Sequence, residues 1–274
     1  MSMVEVYRAY RAAVADVWRD WWATWPLTEP VGLGDVLLAQ GDAVRSAGTL
    51  ADRGVAVEPG RPGRRGDYTY DAAGGVELRF KAAGATDPAF SSVAAAEAGA
   101  LVRFGAGSGV LVVYRGITTR GLADTRRLAG ELVRQYALGR WERELLAVTE
   151  AARAESGTVL VAAGGEAAAE LSITAAAGAG APGLADLAGG VALAASRNLG
   201  LRWVSGPVTP FYRVVRLRER WLRGVEAEYG PVQPGRGLAG ASVPPLLLEE
   251  AAEDPRAVLE AVGPAEPGPL PAAG

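Results

Sequence analysis

Histidine and cysteine are both missing from the 274 residues. Without histidine there is no Ser-His-Asp triad, no imidazole base and no HExxH zinc helix. Without cysteine there are no disulfides, no thiolate nucleophile and no Cys-based zinc site, a composition compatible with a reducing compartment. Lysine is reduced to Lys81, and every other base is arginine. Schiff-base or P-loop chemistry would therefore fall to Lys81 alone. Phe80 precedes it, where a Walker A motif needs glycine. Lys81 also stands at the outer end of an alternating strand, where a solvated lysine is expected. A charge surplus of either sign is lacking, with a net charge of −3. Neither a nucleic-acid surface nor an acidic solvating tract is expected. No apolar run approaches the ~18 residues of a membrane helix. The N-terminus is a mixed-charge amphipathic stretch without the apolar centre of a signal peptide. A cytoplasmic protein is expected, in which any membrane role falls to amphipathic elements. Acidic loops of the D-x-D-x-D-G type are absent, and no metal or cofactor is expected.

What is present is apolar. Hydrophobic residues make up 49% of the chain, enough for one large core or a core with an appendage. Residues 3–24 read as an amphipathic helix. Ser2 and Glu5 form an S-x-x-E capping box. Met3, Val6, Tyr10, Val14, Val17 and Trp21 recur at spacings of three and four, and Tyr7, Trp18, Trp22 and Trp25 widen that face. Pro26 ends it. Its aromatics fit a helix docked on the core. They also fit an interfacial anchor, since tryptophan favours headgroup depth, although the helix's charges nearly cancel.

Residues 31–115 are β-rich. Tyr68, Tyr70, Val76, Leu78 and Phe80 alternate with polar neighbours, a period of two that marks strands with one buried face. Asp71 to Gly75 reads as the turn of a hairpin. Leu101 to Phe104 and Val110 to Tyr114 flank Gly105-Ala106-Gly107-Ser108-Gly109 and predict a second hairpin. A nucleotide loop would need a helix after those glycines, and a strand follows instead. Residues 121–138 predict a helix stopped by Gly139. Strands follow at Leu145 to Thr149, Thr158 to Ala162, Ala168 to Thr174, Leu201 to Val204 and Phe211 to Leu217, with a loop at Gly178 to Gly183. Strands outnumber helices without β-α-β alternation, which predicts an α+β fold: a mainly antiparallel twisted sheet with packed helices.

Nine of the 17 prolines lie between Pro231 and Pro271. The expected organisation is an N-terminal helix at 1–26, a core at 27–230 and a proline-rich tail at 231–274. In that tail Leu246, Leu247 and Leu248 lead into a short acidic helix ending near Val262. Glu142, Glu144 and Glu150 are near one another in sequence, but acid–base work needs two carboxyls converging across a cleft.

Three segments share a pattern. Leu128 to Gly139 is a Leu- and Arg-rich helix, followed by Trp141 and Leu145-Leu146-Ala147-Val148-Thr149-Glu150. Upstream stands Val31-Gly32-Leu33-Gly34-Asp35-Val36-Leu37, and downstream Thr209-Pro210-Phe211-Tyr212-Arg213-Val214-Val215-Arg216-Leu217. In this order they resemble the pore-forming domain of gasdermins, over residues 31–217. The resemblance implies a protein held inactive by its C-terminal segment and released by proteolysis, as in bacterial cell-death defence. Its implied partners are an activating protease, membrane lipid after activation, and further copies of itself. Regions 76–115 and 145–174 would refold into membrane hairpins. Membrane contact would then fall to Trp18, Trp21, Trp22, Trp25, Val110, Val112, Tyr114, Leu146 and Val148, and inhibition to Leu246, Leu247 and Leu248. Bacterial gasdermins typically carry an acylated cysteine near the N-terminus, which this chain lacks. A non-catalytic scaffold and a carboxylate-dependent enzyme are the alternatives.

Overall fold

The computed structural model describes residues 2–40, 43–71, 75–105, 109–174, 182–238 and 243–264. The first helix, α1 (Met3–Trp18), starts on the expected capping box: the Ser2 hydroxyl accepts the Glu5 N–H at 3.3 Å and the Glu5 carboxylate accepts the Ser2 N–H at 2.6 Å. It stops at Trp18 rather than running to residue 24. Beyond it the chain leaves for a short strand, β1 (Trp22–Ala23), whose backbone is more useful in a sheet than in another helical turn.

Then come β2 (Asp35–Gln40), β3 (Ala43–Thr49), β4 (Gly66–Asp71), β5 (Val76–Lys81), β6 (Ala98–Phe104) and β7 (Val110–Gly121). Helix α2 (Thr125–Ala137) is capped by Asp124, which accepts the Arg127 N–H at 2.9 Å. After it run β8 (Leu145–Ala154), β9 (Ser156–Ala162), β10 (Ala168–Ile173), β11 (Val191–Arg197), β12 (Leu199–Ser205) and β13 (Val208–Leu217). The chain closes with α3 (Glu219–Tyr229), α4 (Pro245–Glu253), α5 (Pro255–Val258) and β14 (Leu259–Val262).

The fold is α+β, with two antiparallel sheets. The larger has ten strands and follows the order β1-β13-β8-β7-β9-β12, with β2, β3, β4 and β14 attached alongside. Its organising feature is that β8 and β9 run as one bent strand past β7: Thr118 to Gly121 pair with Arg153 to Glu150, and Val110 to Arg115 pair with Val161 to Ser156. The bend falls at Glu155. Gly116 faces it at φ +63°, and a Cβ there would lie 2.5 Å from the Glu155 carboxyl carbon. The smaller sheet has the order β11-β10-β6-β5.

Both predicted hairpins are overturned. β4 pairs with β7 in the large sheet, whereas β5 pairs with β6 in the small one, and β6 and β7 lie in different sheets. Each connection therefore crosses between sheets. The burial explains why: nearly all of β6, and β7 from Val110 to Tyr114, are buried on both faces. A hairpin open to water on one side would expose half of that apolar surface. The turn residues 72–74 and 106–108, and 178–181 of the predicted loop, lie outside the described residues. Lys81 is a second correction. It is 4% exposed, its ammonium donates to Val93 O (3.1 Å) and Ala94 O (2.7 Å), and it sits 5.6 Å from the Phe90 ring centroid. The sole lysine pins the 82–97 connection across the small sheet.

Apolar alternation decides which side of β7 and β9 meets which layer. Val112, Tyr114, Val159 and Val161 pack with Val6, Tyr10 and Val14 of α1. Leu111, Val113, Leu160 and Ala162 face the other way, onto Ala100, Val102 and Leu171 of the small sheet. Farther along β8, Leu145 and Ala147 pack with α2, α3 and α4, while Leu146 and Val148 point opposite. In the α1 layer the hydroxyls of Tyr10 and Tyr114 meet at 2.9 Å with both side chains fully buried. Burial pushes both phenols well above their ordinary pKa, so the pair stays protonated and neutral.

Tyr10→Phe or Tyr114→Phe leaves one buried hydroxyl without its partner, at a cost of about 1–3 kcal/mol. The double substitution removes both hydroxyls and should cost clearly less than the sum of the two single ones. Urea unfolding of the four proteins measures this; strictly additive losses would contradict a paired role.

Candidate functional site

The segment after residue 230 is where the sequence suggests a control element, and here the structure departs from a loose tether. Residues 231–238 are packed onto the C-terminal end of α2: Gly235 N–H donates to Gly139 O at 2.9 Å, and Leu238 N–H to Ala137 O at 2.8 Å. Leu238 is buried. Gly139, at φ +70°, is both the expected helix stop and a contact point, since a Cβ there would lie 2.4 Å from Gln233 O. Within the linker, 239–242 lie outside the described residues.

Helix α4 then lies on α2 and α3. Leu247 is 4% exposed and Ala251 fully buried, in one cluster with Leu128, Leu132, Tyr136, Trp221 and Val225. Leu248 is half-buried against the same cluster, whereas Leu246 is 59% exposed. Of the three candidate leucines, Leu247 alone is buried. The indole N–H of Trp221 donates to the Glu250 carboxylate at 3.0 Å, fastening α3 to α4. A recess of about 390 Å³ remains between them, edged by Arg218, Arg220, Glu228 and Glu250.

The last described residues add a strand. β14 pairs antiparallel with β13, from Leu217 opposite Leu259 to Val214 opposite Val262. Arg216 and Glu260 form an ion pair at 2.6 Å across it. β1 occupies the same strand a little farther along, with Trp22 opposite Tyr212 and Ala23 opposite Phe211. The two pieces are joined by the Trp22 indole N–H, which donates to Val262 O at 2.7 Å. Strand addition of this kind holds by main-chain hydrogen bonds, while its side chains set the fit. Each fully buried Leu or Val of the tail adds about 1.5–3 kcal/mol. The expected single helix ending near Val262 is thus two helices and a strand, because the aspartate–proline step at 254–255 breaks it.

Of the four N-terminal tryptophans Trp21 is buried, and Trp18, Trp22 and Trp25 are half-buried against the core clusters. Trp18 stacks on Phe211 at 4.5 Å and meets Trp21 edge-on at 5.2 Å. Trp21 is buried beneath the Arg213 guanidinium, 4.7 Å from its ring centroid. Trp22 stacks on Tyr212, and Trp25 packs against Tyr7 and Tyr10. Val110, Val112 and Tyr114 lie in the α1 layer, and Leu146 and Val148 are buried in the small cluster beside Tyr212. Four of these nine residues, Trp18, Trp21, Trp25 and Tyr114, thus share one aromatic cluster with α1.

The carboxylates divide. Glu142 and Glu144 line a recess of about 200 Å³ with Arg143 and Glu226. Glu150 instead pairs with Arg213 at 3.3 Å. Glu226 is hydrogen-bonded by Arg143 and by the Tyr136 hydroxyl. Arg143 holds its carboxyl below the ordinary value, while burial and the neighbouring Glu226 carboxylate push the Tyr136 phenol up to about 12. Trp221, Glu250, Leu259 and Trp22 as tail fasteners were not legible in advance.

Among the described residues no helix is long and apolar enough to cross a membrane, which says nothing about spans built from strands. No protein-family model matches the chain, and no curated protein matches it.

Leu247→Ala should destabilise the protein by about 2–4 kcal/mol by opening a cavity under α4, whereas Leu246→Ala should change little; urea midpoints of the two variants distinguish the buried position from the surface one. The Glu226 carboxyl is depressed in the fold, so its contribution is complete above the unfolded value of 4.5 and is lost as pH falls through the lower folded value. Glu226→Gln should accordingly be less stable near neutrality and show a shallower loss of stability below pH 4.5, read from thermal midpoints across that range.

Proposed function

We propose that the protein is an autoinhibited pore former of the gasdermin type, activated by cleavage between the core and α4. The carrying observation is the docking of α4–β14. It inserts Leu247 between α2 and α3 and lends a strand to β13, yet reaches the core through one short linker. While the linker is intact, docking is intramolecular and enjoys an effective concentration of order millimolar. Once it is cut, the piece holding Leu247, Val258 and Leu259 becomes a dilute ligand that can leave.

The strands named for insertion have suitable character. β7 has 12 residues and β8 has 10, against the ~9–11 of a tilted membrane strand. Regions 76–115 and 145–174 are rich in Ala, Gly and Val. Insertion would require α1 to lift from Val110, Val112 and Tyr114, carrying Trp18 and its neighbours with it. Membrane lipid, an activating protease and further copies of the chain are the partners of this reading, with no nucleic acid.

The test is a site-specific protease sequence placed at residues 239–242 and dye release from liposomes of neutral and of anionic composition. Leakage only after the cut is the expected result. A cleaved, folded protein that leaves both liposome types intact sinks the reading.

A further inference from the structure

On the face of β7 and β8 that bears Thr118, Arg120, Ala151 and Arg153, a trench of about 480 Å³ remains open, within the ~300–1,000 Å³ of small-molecule sites. Its floor is fixed by register. Thr118 is opposite Arg153, and Arg120 is opposite Ala151 as the antiparallel pairing continues. The two arginines are thus diagonal neighbours, roughly 7–8 Å apart at the backbone, with only the methyl group of Ala151 facing Arg120. Thr209 of β13 adds a hydroxyl beside them.

The walls are of a different kind. Val31, Leu33, Val57, Pro59 and Leu122 make them apolar, and Val57 lies against Gly34, 3.4 Å from where a Cβ there would stand. Residues 58–63 run along the end of β7, tied by Gly60 N–H to Gly121 O (2.7 Å) and Gly63 N–H to Thr119 O (2.7 Å).

The electrostatics are unbalanced. No carboxylate lines the trench, and neither Arg120 nor Arg153 forms an ion pair among the described residues. On the neighbouring β13, by contrast, Arg213 has Glu150 and Arg216 has Glu260. Arg120 is instead aimed by its Nε–H, which donates to Gly60 O at 3.0 Å and leaves the outer edge of the guanidinium free. Two like charges side by side without a counter-ion are unfavourable in the empty site and are relieved by an anion.

We propose that this trench binds a fatty carboxylate, with its head on Arg120 and Arg153 and its chain along Val31, Leu33, Val57 and Leu122. A carboxylate is preferred to a phosphate because its two oxygens match the fork of a guanidinium, and none of the lining residues belongs to a helix, whose N-terminus is a common phosphate-holding device. The site is separate from the tail and does not depend on pore formation.

The test is calorimetric titration of the full-length protein with decanoate below its micelle concentration, alongside decanol, acetate and decyl phosphate. Decanoate should bind one per chain with a Kd of about 0.1 mM or tighter, and decanol and acetate at least tenfold more weakly. Arg153→Gln should weaken decanoate roughly tenfold with an unchanged melting temperature. Val57→Trp should block the chain's path and abolish the heat. Binding of several decanoates per chain, equal binding of decanol, or an unaffected Arg153→Gln variant would overturn the site. Decyl phosphate binding tighter than decanoate would overturn the choice of head group.

Discussion

The outer edge of β13 is the constraint on which much of the rest depends. This strand carries Phe211 into the α1 layer, Tyr212 and Val214 into a second cluster, and Leu217 into the helical core. A strand so deeply built in cannot leave its free row of N–H and C=O groups without partners. The chain closes that edge with two short segments far apart in sequence, β1 and β14, which lie in line and are joined through the Trp22 indole. Trp22 and the segment from α4 to β14 are held where those pairings place them.

The same logic unites the sheets. β7 is apolar on both faces, so it needs a helix on one side and a sheet on the other. α1 and the β6–β10 layer meet those needs. The chain therefore crosses between sheets twice in the region 66–121, and between the crossings Lys81 stitches the 82–97 connection, which joins β5 to β6 within the small sheet, with two hydrogen bonds to carbonyls.

The fold class, most strand positions, the Ser2–Glu5 cap and the Gly139 stop were legible, because each is written in local spacing or in a single residue's conformational preference. Partners were not. The alternation of Tyr68 to Phe80 announces two strands, yet which strand each one joins is decided by both-face burial of β6 and β7 far along the chain. Lys81 reads as a surface residue because nothing local foretells that residues 93 and 94 will offer it carbonyl oxygens. The helix at 3–24 was overextended, since Trp21 continues the helical spacing although the backbone of Trp22 and Ala23 is claimed by β13. The composition of the tail signalled a tether, and only its leucines hinted that it docks. Arg120 and Arg153 carry no signal in sequence, because their meeting is a matter of register between β7 and β8.

Synthesis runs from the N-terminus, so Trp22 and Ala23 emerge long before the strand they must join, and Leu259 to Val262 emerge well after it. A nascent chain that has completed β13 still presents Val214 to Leu217 as an open edge, and the Trp22 indole still lacks its acceptor. Closure of so distant a pairing is slow, and an uncovered edge recruits other chains. A message cut short after β13 would therefore yield a molecule with one adhesive seam left unsewn.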